Sequence, residues 1–422
     1  MDKRADRCRI TALASIAAAV TWIAAANPVA AQTYGVALSN VLMPASGGMA
    51  GTSVAAPQDF LSAINGNAAA LSHYKGTHFT LGGAFAESTV RLSQDTRIPL
   101  LGVRPFSQKS GTPGAVVPAI GVSQELDGMP LPTTFGFGVF SAAGGGTSYL
   151  QAPESNGTNS YLMILEFAPS MAVELTDRLS IGATMFVGDG YTSGPFLGVS
   201  GMTNAYALAA GLGIDYRVGD ATRLGAYYRS TQAFRFQDEA ILLDNTMPID
   251  VNLGLPQMVG LGIANESFMD GRLLLAADAL FYDWDSAAFF NGPYLPQWVM
   301  QLGTQYRATD RVKLRAGYAL ASNPLDSNYG ESLRPLPIPG GVAAAKYFQA
   351  QYAVVNPHRL TAGFGYDDVI PGLDFDAYAG GMFPATAFLG DSTRVDIASW
   401  WIGIGFSWHF DRQAARSRAK ES

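Results

Sequence analysis

The stretch Trp400-Trp401-Ile402-Gly403-Ile404-Gly405-Phe406-Ser407-Trp408-His409-Phe410 decides the fold. Trp400, Ile402, Ile404, Phe406, Trp408 and Phe410 occupy one set of alternate positions; Trp401, Gly403, Gly405, Ser407 and His409 occupy the other. Successive side chains of an extended chain point to opposite faces, so this is a strand with one apolar face and one face of mainly small or polar residues. The pattern recurs upstream. Trp298, Met300, Leu302, Thr304 and Tyr306 alternate with Val299, Gln301, Gly303, Gln305 and Arg307. Val312, Leu314, Ala316, Tyr318 and Leu320 oppose Lys313, Arg315, Gly317 and Ala319, and Leu208, Leu212, Ile214 and Tyr216 oppose Gly211, Gly213, Asp215 and Arg217. A soluble sandwich also alternates, but its outer faces must be polar. Here only 14% of the 422 residues are charged, 47 are glycine, and mean hydropathy is +0.12.

Those proportions suit a membrane rather than water. After Ala31 no run has the roughly 20 apolar residues that a spanning helix needs. A bilayer then leaves a closed barrel as the way to satisfy every backbone group. Alternating segments give about 14 strands, an even number within the range of outer-membrane barrels. They are read at 77–92, 115–126, 133–143, 160–176, 178–189, 204–218, 221–234, 256–266, 271–284, 297–308, 311–321, 357–368, 372–382 and 397–410. Short connections such as Thr176-Asp177-Arg178, Gly219-Asp220 and Thr309-Asp310 alternate with long ones near 93–114, 144–159, 190–203, 235–255, 285–296, 322–356 and 383–396. Short periplasmic turns facing long external loops is the outer-membrane arrangement. The fold class is therefore an all-β, 14-stranded antiparallel outer-membrane barrel over 77–410.

The flanking segments have other jobs. Lys3, Arg4, Arg7 and Arg9 precede an uncharged, largely apolar run from Ile10 to Ala26, and Val29-Ala30-Ala31 offers small residues for cleavage, so 1–31 reads as a secretory signal peptide. The sole cysteine, Cys8, lies within it, leaving no disulfide framework or thiolate metal site. A net charge of −7 excludes a basic nucleic-acid footprint. Residues 32–76 lose the alternation and are rich in Ala, Gly and Ser. Pro57–Asn65, with Asp59 in the first turn, reads as one short helix too small to fold alone; a lumen plug accommodates it, the alternative being a loose periplasmic tail. Asp411–Ser422 is a charged tail after Phe410.

With these residues in view, the chain resembles the FadL family of outer-membrane transporters for long-chain fatty acids and other hydrophobic molecules. The hatch-like match runs from Gly47-Gly48 through Asp59 to Asn67-Ala68-Ala69-Ala70-Leu71, where the family often shows Asn-Pro-Ala-x-Leu; Ala68 replaces the proline. Val259-Gly260-Leu261-Gly262, Leu314-Arg315-Ala316-Gly317-Tyr318 and His358–Tyr366 are similar to its strand units. The resemblance implies passive uptake of a fatty acid or hydrocarbon without cofactor or metal. It also implies a hatch with Asp59, Asn67, Ala68, Ala69 and Leu71 at its centre, and lateral exit through the wall. Phe410 takes the place of the terminal aromatic that the family presents to the barrel-assembly machinery.

Alternation points Met258, Leu274, Leu280, Tyr282, Trp284 and Tyr378 into the lumen as apolar ligand contacts, or as packing against the plug. It places Arg229, Arg272, Lys313, Arg315 and Arg359 there as cations for a carboxylate, or as partners of Asp278, Asp374 and Asp376. Arg272 and Arg315 are the cations expected at a ligand. The rival reading is a general or structural porin-like barrel. Catalysis is not expected, because none of the four histidines, His73, His78, His358 and His409, has a serine or carboxylate pair convincingly placed beside it. His73 and His78 lack a third ligand for a metal.

Overall fold

A computed structural model describes residues 36–193, 202–240, 249–352 and 358–410. The signal-peptide and tail expectations lie outside these residues. The wall is made of β1 (Thr77–Gln94), β3 (Ala115–Leu126), β4 (Thr133–Ser148), β5 (Asn159–Thr176), β6 (Leu179–Ser193), β7 (Thr203–Val218), β8 (Thr222–Arg229), β11 (Gln257–Phe268), β12 (Leu273–Asp283), β13 (Gln297–Arg307), β14 (Val312–Ala321), β15 (His358–Ile370), β16 (Leu373–Leu389) and β17 (Thr393–His409). Three strands stand outside it: β2 (Phe106–Lys109), β9 (Gln232–Ala240) and β10 (Ile249–Leu255).

Each wall strand pairs antiparallel with its neighbour, and β1 pairs with β17 from His78 opposite His409 to Gln94 opposite Thr393. The sheet is thus a closed 14-stranded antiparallel barrel. Closure removes both edges, so the wall strands satisfy one another's backbone groups without water. The side-chain alternation is resolved as the sequence requires. Leu208, Leu212, Ile214, Leu302, Ile402 and Ile404 are exposed outside, while Ala207, Ala209, Asp215, Gln301 and Trp401 are buried inside. No helix among the described residues is long and apolar enough to cross a membrane.

Several sequence boundaries move. The strand read at 221–234 is two strands. β8 ends at Arg229, and β9 leaves the wall to pair with β10 as a separate hairpin, so the 235–255 connection is partly sheet. β4 and β5 run on to Ser148 and from Asn159, and β16 and β17 continue to a tight turn at Gly390, where φ is 65°. The connections read at 144–159 and 383–396 are therefore shorter than expected. The residues added to β4 and β16 break strict alternation, with register shifts between Ser141 and Ala143 and between Met382 and Ala385, whereas those of β17 turn apolar Val395 inward and Arg394 outward, the reverse of the belt. Trp284 is not the last residue of a strand. It opens a 3-10 turn, Trp284–Ser286. The 322–356 connection folds back as a ten-residue helix, Gly341–Ala350, whose Ala344, Tyr347 and Ala350 are buried.

Inside the barrel the N-terminal segment forms 3-10 turns Val36–Leu42, Ser46–Met49 and Ala68–His73 around helix α1 (Phe60–Asn65). The helix starts three residues after Pro57. Asp59 caps it, accepting the Ser62 N–H at 2.8 Å, which satisfies one of the donors a helix start leaves free. Met49, Leu61, Ile64, Ala69 and Leu71 have no solvent exposure. Phe60, Leu61, Ile64 and Leu71 form one apolar cluster with wall residues Ala119, Phe140, Ala168 and Phe186. This contact with the wall supplies the core that so short a segment lacks by itself.

Candidate functional site

The inner wall carries glycines where the N-terminal segment lies closest. A methyl group at Gly213 would collide with the Asn67 side-chain oxygen, and one at Gly182 with the backbone of Ala68 and Ala69. At Gly225 it would meet Val54, at Gly317 Met49, and at Gly405 Pro44. The small-residue face that alternation exposes is thus a bed on which another backbone rests. Without side chains there the two backbones approach closely, and the bonds between them run through side chains.

Polar side chains fix the segment to this bed. Asp59, besides capping α1, accepts the N–H groups of Ala45 and Ser46 at 3.1 and 2.9 Å, joining two turns of the segment. Asn67 caps the last 3-10 turn and donates its side-chain N–H groups to Val54 and to Ile214 of β7, both at 2.9 Å. From the wall, Asp278 accepts the N–H groups of Ser53 and Val54 at 2.6 and 3.0 Å. Thr361 accepts the Ala50 N–H at 2.8 Å, and Gln301 donates to the Ala50 oxygen at 2.9 Å. Near the short-turn end His73 Nε2 lies 2.9 Å from Asp215 and 2.7 Å from Arg223. Tyr74 donates to the Pro57 oxygen at 2.8 Å. Burial first, and then the Asp59 carboxylate, push the Tyr74 hydroxyl well above its ordinary pKa, so it remains a donor. Each bond between neutral groups contributes about 1 kcal/mol. Together they hold the segment against the wall, while any single one is weak.

Of the residues expected at the hatch, Asp59 and Asn67 make these polar contacts. Ala68 and Ala69 lie against Gly182, and Leu71 packs beside α1. The wall partners Gln301, Thr361 and Asp278 were not assigned to this role from sequence, because alternation gives the face but not what occupies it.

The expected ligand contacts do not form one site. Met258, Leu280, Tyr282 and Trp284 lie together on the long-loop side, in a cluster with Phe234, Phe236, Leu253, Leu255, Phe290 and Tyr294. The Trp284 ring stands 4.8 Å from Tyr294 and 5.5 Å from Phe290, edge to face. Leu274 is apart, packed under Met49 and Ala55. Tyr378 sits elsewhere again, with Val41, Met382 and Trp401. The hairpin and loop aromatics were missed as cluster members, although the run Ala287-Ala288-Phe289-Phe290 in a nominal loop is an available signal.

The cations also divide. Arg315 is buried and engaged by Asp376 at 2.5 Å and Gln305 at 2.7 Å. Arg272 is exposed beside a turn at the short-turn rim, not inside the lumen, because β12 begins only at Leu273. Arg229 pairs with buried Glu166, stacks 3.9 Å over the Phe186 ring and approaches Asn65 of α1 at 3.4 Å. This polar crossbar lies next to Met258, its register partner on β11, while Ala50 and Val54 of the N-terminal segment join the far end of the same apolar cluster. Asp278 is not an arginine partner, since its bonds go to backbone N–H groups, and Asp374 pairs with His409 at 2.7 Å.

No family model and no curated protein matches the chain. Solved structures do. The Pseudomonas putida toluene transporter TodX superposes with a TM-score of 0.63 over 86% of this chain and 97% of its own, at 19% identity. A Pseudomonas aeruginosa FadL homologue gives 0.63 over 91% and 100%, at 16% identity. The Ralstonia pickettii toluene transporter TbuX gives 0.58 over 87% and 97%, at 18% identity. The chain has the fold of these proteins over most of its length.

Proposed function

We propose that the protein is an outer-membrane channel for passive uptake of hydrophobic molecules, of the FadL kind, and not an enzyme. The observation that carries this is the glycine bed. A barrel wall shaped to receive a plug, beneath a cluster of aromatic and aliphatic side chains, suits greasy solutes rather than ions. Apolar lining with few polar groups is what holds such ligands. A general porin fits less well, because the lumen is occupied by buried N-terminal residues bonded to the wall.

In this reading the ligand enters among Trp284, Phe290, Tyr294 and Tyr282, and residues 36–76 act as the hatch. Lateral exit is supported at one place in the wall. The β3–β4 ladder ends at Ala119 opposite Phe140, next to Pro118, which has no N–H to donate. Beyond it β4 continues to Ser148 against β5 alone. Over Ala143–Thr147 the other edge of β4 thus has no strand partner among the described residues, leaving a side window flanked by Gly144, Gly145 and Gly146.

Toluene and oleate, one monoaromatic and one long-chain fatty acid, distinguish substrate classes. Radiolabelled uptake is measured in cells lacking other such channels, with and without this protein. Saturable acceleration of either solute supports the reading and selects its class. Unaccelerated uptake of both, with the barrel assembled in the outer membrane, overturns it.

A further inference from the structure

We infer that the short-turn rim of the barrel holds a binding site for a phosphate group, separate from the lumen route. A cleft of about 420 Å³ opens there between three neighbouring connections, lined by Asp270, Arg272, Arg307, Asp310, Lys313 and Asp367. The register places its cations in a row. Arg307 donates its backbone N–H to the Arg272 oxygen at 2.8 Å, and Arg307 stands opposite Lys313 across β13 and β14. Like charges on directly opposed strand positions repel. Lys313 is neutralised by Asp367 at 2.8 Å. Neither Arg272 nor Arg307 has an ion-pair partner among the described residues.

Two adjacent, unpaired guanidinium groups at the mouth of a polar cleft are a receptor for an oxyanion. Each offers a planar fork that grips two oxygens, and an anion between them removes their repulsion. Asp270 and Asp310 line the same cleft from the turn tips, so the site matches a group carrying both a phosphate and an ammonium. Ethanolamine phosphate has that chemistry, as a soluble compound or as a phospholipid headgroup. The lipid source draws on the membrane reading above, which sets this rim at the inner leaflet. Tyr306, Leu314 and Phe268, exposed on the outer face of the same rim, would then lie beside acyl chains.

The test uses the purified full-length barrel in detergent. Calorimetry measures O-phosphoethanolamine and inorganic phosphate, and native mass spectrometry measures retained phosphatidylethanolamine. The expected result is saturable binding of at least one phosphate-bearing probe. Arg272→Gln with Arg307→Gln should weaken it by at least about tenfold, as loss of charge-assisted hydrogen bonds does. Arg311→Gln, outside the cleft, should leave it unchanged. Arg272→Lys with Arg307→Lys keeps the charge, removes the forks and should fall between; it also serves if the glutamine pair fails to assemble. Retention of the lipid alone identifies a headgroup site, and binding of soluble probes as well identifies a general phosphate site. Absence of binding by all three probes, or binding that ignores both arginine pairs, overturns the inference. Hydrophobic uptake is unaffected in every arm, so failure here is distinguishable from failure of the channel reading.

Discussion

Gln301 of β13 donates its side-chain N–H to the backbone oxygen of Ala50 at 2.9 Å. Ala50 is held in the left-handed region at φ 55°, and its N–H is taken by Thr361 of β15. An alanine there is strained by roughly 1 kcal/mol or more. Two wall strands therefore secure a hatch residue that would relax if released.

Removing this attachment should open the hatch without harming the wall. Gln301→Leu with Thr361→Val leaves the Ala50 oxygen buried and unpaired, costing about 1–3 kcal/mol, and leaves its N–H with the Ser46 oxygen alone. Conductance in planar bilayers should rise, while the heat-dependent gel mobility of a folded barrel is kept. Unchanged conductance would show that Ala50 is not a point of release.

The two faces of β13 should fail differently. Leu302→Arg places a charge on the lipid face and should impair assembly by roughly 2–4 kcal/mol near the midplane. Gln301→Arg points inward, so the barrel should assemble, yet it loses the Ala50 bond and should leak. Outer-membrane yield and ion conductance, measured on both variants, separate these defects. Equal loss of yield would contradict the assigned faces.

The glycine bed predicts a graded series at one contact. Asn67→Ala removes a cap and two donated bonds, a loss of about 1 kcal/mol for the cap alone, and should raise conductance mildly. Gly213→Val drives a branched side chain into the Asn67 position and should raise it much further. Its ladder partners in β6 and β8 bond through backbone and are retained. A Gly213→Val channel as tight as the parent would mean that the plug does not need this bed.

Trp284→Ala with Phe290→Ala should lower saturable uptake of the transported solute at least about tenfold, since large aromatic truncations cost about 3–5 kcal/mol of packing. Hatch tightness, read as conductance, should stay at the parental level because the ring contacts of Trp284 and Phe290 are with each other, Phe289, Tyr294 and Tyr352, all outside the N-terminal segment. Loss of tightness together with uptake would assign the aromatics to the hatch instead.

Strand content, strand count and the two faces of the wall were legible in the sequence, because a period of two is local. Trp400–Phe410 or Trp298–Arg307 declares its faces without reference to any other segment. Asp59 was legible as an acidic residue at the start of the short helix and Asn67 only through the family resemblance; that each caps a turn is a finding of the structure.

The tertiary structure alone decided what the inner face meets. Gly213 reads as a small lumen residue, and only the docked backbone of Asn67–Ala69 shows why no side chain fits there or at Gly182. Arg272 and Arg315 look alike by alternation, yet one is exposed at the rim and the other is buried against Asp376. The departure of β9 from the wall likewise depends on its partner β10, beyond the reach of any local period. Alternation is set by backbone geometry within a few residues, whereas docking, pairing and depth are set by which distant surfaces close on one another.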